Sequence, residues 1–140
     1  MKFVCDAPGD KTWFRIETVD EAAKESVLMD HAVEKHFRQQ WDHTASGFKP
    51  PSDVFIEQNI GLASFVQRHM PMFLTLRNAE GDGLATAMLP PDGGKRRGFR
   101  VIIVGPSNGD PYEEHEDAIQ ALAAHVGLPL DRDDCYPYRR

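Results

Sequence analysis

Residues 98–129, GFRVIIVGPSNGDPYEEHEDAIQALAAHVGLP, carry the clearest fold signal in this chain. Phe99, Val101, Ile102, Ile103 and Val104 form a near-continuous, largely β-branched block, the pattern of a strand covered on both faces. Gly105-Pro106-Ser107-Asn108-Gly109 breaks that block with turn residues. Asp110 then suits a helix N-cap and Pro111 the first helical position. Glu113 follows the cap by three residues, so its carboxylate can reach back to the cap amide. At helical spacing Tyr112, His115, Ile119, Leu122, Ala123 and Val126 share one side. Gly127-Leu128-Pro129 ends the helix: glycine for a left-handed position, leucine to pack back, proline to forbid continuation.

A glycine-rich turn before a helix N-terminus suggests a phosphate cradle. GPSNGDP has neither the Walker nor the dinucleotide-binding spacing. Asp110, Glu113, Glu114, Glu116 and Asp117 also crowd the first two turns, where they complement the helix dipole and repel an anion. A plain capped helix is the reading that follows. His115 on its apolar side is a core-edge histidine or a proton carrier. In the second case Tyr112 and Glu116 are the neighbours that would orient it or a substrate.

The remaining chain supplies the partners of this unit. Two short strands, 2–6 and 12–17, flank the turn Ala7-Pro8-Gly9-Asp10 as an N-terminal hairpin. Thr18 and Glu21 form a capping box that opens one long helix over 19–42. Its main stripe is Ala22, Ser26, Met29, Val33, Phe37 and Gln40. Val27 and Leu28 point away from that stripe, near His31, and make a patch that a protein partner could cover. A linker over 44–51 leads to a second helix, capped by Ser52 or Asp53 and running to Met70. Residues 72–77 and 84–89 form a second hairpin around a Gly/Asp turn. The tail after Leu130 reads as irregular and loose. The order β-β-α-α-β-β-β-α predicts one α+β domain over residues 1–140. Its expected form is a two-layer sandwich, a mainly antiparallel sheet of about five strands with helices on one face.

Composition narrows the function classes. The chain has 140 residues, 41% hydrophobic and 27% charged, with net charge −6, which suits one soluble globular domain and disfavours unspecific nucleic-acid binding. No apolar run approaches the ~18 residues that span a bilayer. The N-terminus lacks a signal-peptide pattern, so a cytoplasmic location is expected. Cys5 and Cys135 lie at opposite ends without a Cys-x-x-Cys motif, which leaves no redox pair or zinc knuckle. His31 and His36 project about 140° apart on a helix, and His36 and His43 lie about 10 Å apart along it. Neither pair chelates one ion, so no metal and no other cofactor is expected. Ser64 and Ser107 lack the Gly-x-Ser-x-Gly elbow.

One basic cluster, Lys95, Arg96, Arg97 and Arg100, sits on a glycine-rich loop, where solvated charges or weak phosphate or nucleic-acid contact both fit. With no catalytic motif, the favoured expectation is a non-enzymatic binding or regulatory module. It would act through protein contact or self-association at Val27, Leu28 and His31. The alternatives are a small acid–base enzyme at His115 and weak nucleic-acid binding through the basic loop.

Overall fold

The computed structural model describes residues 1–49, 58–91 and 100–139, with the side chains of 58–60 outside the description. The elements are β1 (Lys2–Ala7), β2 (Lys11–Ile16), α1 (Val19–Met29), α2 (Val33–Ala45), α3 (Gln58–His69), β3 (Met72–Arg77), β4 (Gly83–Leu89), β5 (Ile102–Val104) and α4 (Tyr112–Val126). The five strands form one antiparallel sheet in the order β1-β2-β3-β4-β5, as the α+β reading expects. The Ser52 or Asp53 cap and the basic residues Lys95, Arg96 and Arg97 lie outside the described residues.

Side-chain alternation divides the sheet into two faces. Trp13, Leu74, Leu76, Ala85, Ala87 and Ile103 share one face through the strand register, and pack with Ala118, Ile119 and Leu122 of α4. The Trp13 indole N–H donates to the Ala118 carbonyl at 2.9 Å. Ile16 and Phe73 belong to the opposite face, and pack with Ala22 of α1, Val33 and Phe37 of α2, and Val66 and Met70 of α3. Helices therefore cover both faces, and the sheet is a middle layer rather than half of a two-layer sandwich. The signal for this is in β3, where Phe73, Leu74, Thr75 and Leu76 are all buried. A run buried at every position marks a strand with two covered faces.

The single helix expected over 19–42 is two helices. The capping box forms: the Glu21 amide donates to Thr18 Oγ1 at 3.2 Å, and the Thr18 amide to Glu21 Oε1 at 3.1 Å. The break comes at Asp30, which adopts a left-handed conformation (φ 51°, ψ 56°). Ser26 holds both sides of it. Its carbonyl accepts from the His31 amide at 3.3 Å, and its hydroxyl oxygen from the Glu34 amide at 2.8 Å, which satisfies an amide in the first turn of α2. Gly83 then lets α1 approach β4 closely, since a Cβ there would lie 2.5 Å from Met29 Sδ.

α4 begins one residue later than expected, and the Asp110 carboxylate accepts from the Tyr112 amide at 2.9 Å. The tail is irregular, as expected, but it is not loose. Leu130 and Cys135 are fully buried. Tyr136 pairs beside β5: its amide donates to the Val101 carbonyl at 2.8 Å, and its carbonyl accepts from the Ile103 amide at 3.2 Å.

Candidate functional site

The break between α1 and α2 sits over the sheet, and the residues around it build a polar chain. Glu25 of α1 is fully buried. A carboxylate there is costly unless both oxygens are paired. Arg77 of β3 donates from Nη2 to Glu25 Oε1 at 2.5 Å. Thr86 of β4 donates its hydroxyl proton to Glu25 Oε2 at 2.7 Å. Thr75, the cross-strand partner of Thr86, accepts from Arg77 Nε at 3.0 Å.

His31 extends the chain. Its Nε2 lies 2.9 Å from Thr86 Oγ1. Thr86 has one proton and gives it to a carboxylate that can only accept, so its oxygen must accept from His31. The neutral ring therefore carries its proton on Nε2. Burial lowers the His31 pKa below its ordinary value, against the opposing charges of Glu25 and Asp30. The remaining ring nitrogen, Nδ1, is buried and has no hydrogen-bond partner among the described residues.

The neighbouring turn is strained. Ser107 and Asn108 both adopt left-handed conformations (φ 54° and 59°). Such positions cost an L-residue roughly 1–2 kcal/mol, less for Asn and Asp. Hydrogen bonds hold the turn in place. The Gly105 amide donates to the Gly109 carbonyl at 2.7 Å, and the Gly109 amide to the Pro106 carbonyl at 3.0 Å. Ser107 Oγ donates to Asp30 Oδ2 at 2.9 Å. Three left-handed, non-glycine residues, Asp30, Ser107 and Asn108, thus meet at one point. Strain of this kind gathers at functional sites and persists where the surroundings over-determine it.

Between this turn, α2 and the sheet lies a cleft of about 250 Å³. Phe73, Met88, Ile102 and Val104 line it from the sheet, all on the face that α1–α3 cover. Its polar lining comes from His31, His36, Gln40, Thr86 and Asn108. Among the described residues no Lys or Arg lines it.

The chain matches no family model, no curated protein and no solved structure.

The residues singled out from sequence fall in several places. His115 accepts at Nδ1 from Lys11 Nζ, 3.1 Å away, and sits at a kink in α4 (φ −127°, ψ 20°). Burial and then the Lys11 charge lower its pKa, against Glu114 and Asp117. The Tyr112 hydroxyl donates instead to the Leu130 carbonyl at 2.8 Å, and burial followed by the Cys135 thiol raises its pKa. Glu116 is exposed. No hydrogen bond joins these three among the described residues. Arg100 stacks its guanidinium 5.0 Å over the Tyr136 ring.

Val27 and Leu28 are 85% and 48% exposed. They line an open groove with Met1, Glu21, Lys24 and Arg77. His31 is turned away from them, toward Thr86. Glu25, Thr86, Gln40 and Asn108 escaped the sequence reading as site residues. Ala22, Glu25 and Met29 are the buried positions of α1, so a carboxylate within an apolar stripe was the available signal.

Proposed function

We propose that this chain is a small-molecule-binding domain whose ligand occupies the cleft between the α1–α2 turn and the sheet. The observation that carries this is the convergence on one apolar cleft of polar side chains that the fold leaves without partners. Gln40 and Asn108 have no intramolecular side-chain hydrogen bond among the described residues, yet both line the cleft. Largely apolar walls with a few placed polar groups are the usual form of a ligand site. Binding rather than conversion is favoured because the reactive groups are already committed. The Thr86 hydroxyl and His31 Nε2 are held in the chain from Glu25, and His31 Nδ1 is buried.

The test is a fragment titration of ¹⁵N-labelled protein followed by amide shifts. Shifts confined to residues 31–40, 86–88 and 102–108 are expected, with loss of binding when Val104→Trp fills the cleft. Fragments that leave these amides unmoved would overturn the proposal.

A second reading is favoured by the exposure of Val27 and Leu28, which line a groove with Met1. In it the outer face of α1 meets a protein partner or a second copy of the chain. Sedimentation velocity over a hundredfold concentration range tests the second-copy form. Association that Leu28→Glu abolishes supports it, and a monomer throughout counts against it.

A further inference from the structure

Building on the ligand-binding function proposed above, we infer that the cleft takes an uncharged planar nitrogen heterocycle of nucleobase size, held by its donor–acceptor edge between the amides of Gln40 and Asn108.

Charge is the first argument. No Lys or Arg lines the cleft among the described residues, and His36 is its one exposed imidazole. The described lining offers a phosphate or carboxylate no Lys or Arg, and the chain's net charge is −6. The carboxylate of Asp30 lies just behind the turn, tied to Ser107. Among the described residues, this field suits a neutral ligand better than an anion.

Hydrogen-bond chemistry is the second. A primary amide presents one acceptor and two donors in a plane. That edge pairs two bonds at a time with an adjacent donor and acceptor on a ring, the geometry by which Asn and Gln read the edge of adenine. Gln40 and Asn108 each bring such an edge, from α2 and from the 106–108 turn. The backbone of Asn108 is also held. Its left-handed conformation is locked by the Ser107–Asp30 bond and by the Gly109 amide on the Pro106 carbonyl. A fixed backbone leaves only the exposed side chain to order on binding.

Shape is the third. Met88, its cross-strand partner Ile102, and Val104 are half-buried on the sheet face that lines the cleft, over the buried Phe73. A thioether and branched side chains suit the face of a flat ligand. A cavity of about 150 Å³ accepts benzene. The larger volume here leaves room for a bicyclic ring with its polar edge.

The experiment titrates labelled protein with adenine, N6,N6-dimethyladenine and adenosine 5′-monophosphate, following the side-chain NH₂ signals of Gln40 and Asn108. Adenine is expected to move both. The dimethyl compound, which has lost the exocyclic N–H donors and keeps the ring N–H, should bind about tenfold more weakly. The nucleotide should gain nothing from its phosphate. Asn108→Gly removes the amide and keeps the left-handed backbone, since glycine adopts it freely, and should reduce adenine affinity to a similar extent. Gln40→Glu, which trades the amide donor for a charge, should do the same. Equal binding of the dimethyl compound would overturn recognition through the exocyclic amino edge, and unchanged affinity in both variants would overturn the amide clamp. Tighter binding of the nucleotide would overturn the neutral ligand. Fragments that occupy the cleft while adenine does not would overturn the heterocycle alone and leave the ligand-binding function standing. If neither adenine nor any fragment moves the cleft amides, both fail.

Discussion

Thr86 is the residue on which the polar chain turns. Its hydroxyl both donates to Glu25 and accepts from His31. Thr86→Val keeps the shape and removes both bonds, leaving a buried carboxylate oxygen and an imidazole N–H unpaired. The expected cost is about 2–3 kcal/mol of folding stability, read as a lower urea midpoint with an unchanged slope. His31 adds a pH dependence. Burial holds its folded pKa below the ordinary 6.5, so the native state binds fewer protons than the unfolded chain. The resulting stability is fully present above pH 6.5 and is lost as pH falls through the lower folded value. Glu25 and Asp30 moderate the shift and His36 adds to it. His115 contributes in the same direction. His31→Gln should therefore flatten, without abolishing, the fall in urea midpoint between pH 7.5 and pH 5.5. An unchanged fall would mean that His31 does not govern acid stability.

At the scale of elements, the α1–α2 break turns one amphipathic run into two helices that bend over the sheet. Val19, Ala22, Met29, Val33 and Phe37 keep helical spacing across Asp30 and His31, so the pattern reads as continuous. The break is set by the left-handed Asp30, by Ser26 serving both helices, and by contacts to Ser107 of the 106–108 turn and Thr86 of β4. Asp tolerates the left-handed region, and a β-branched residue does not. Asp30→Val should cost about 2 kcal/mol, whereas Asp30→Asn, which keeps both the conformation and an acceptor for Ser107, should stay within about 0.5 kcal/mol. Thermal melts followed by circular dichroism check both. Equal losses in the two variants would show that the backbone conformation is not the controlling factor.

Over the whole molecule, the sheet is closed on both faces and the tail seals its β5 side. Cys135 is fully buried there, and burial raises its pKa above that of an ordinary thiol. Cys5 is part-buried on the first strand, and burial raises its pKa as well. Exposure then sets the order of reaction. A thiol reagent under native conditions should label Cys5 first and reach Cys135 only on unfolding, as read by peptide mass mapping. Early labelling of Cys135 would mean that the tail opens readily.

The strands, the capping box, the helix over 112–126 and the antiparallel sheet were legible because each follows from local pattern: β-branched blocks, turn residues and caps. The exposure of Val27 and Leu28 was legible for the same reason, since helical phase alone carries them away from the stripe. The layering of the helices, the break at Asp30 and the cleft were decided by tertiary structure. Glu25 meets Thr86 across 61 positions and Ser107 meets Asp30 across 77, and no local window contains such pairs. A buried carboxylate announces that it needs a partner, but its sequence neighbours do not name one. Which face of the sheet each helix covers, and which unpaired amides then surround one cleft, depend on packing between segments far apart in the chain.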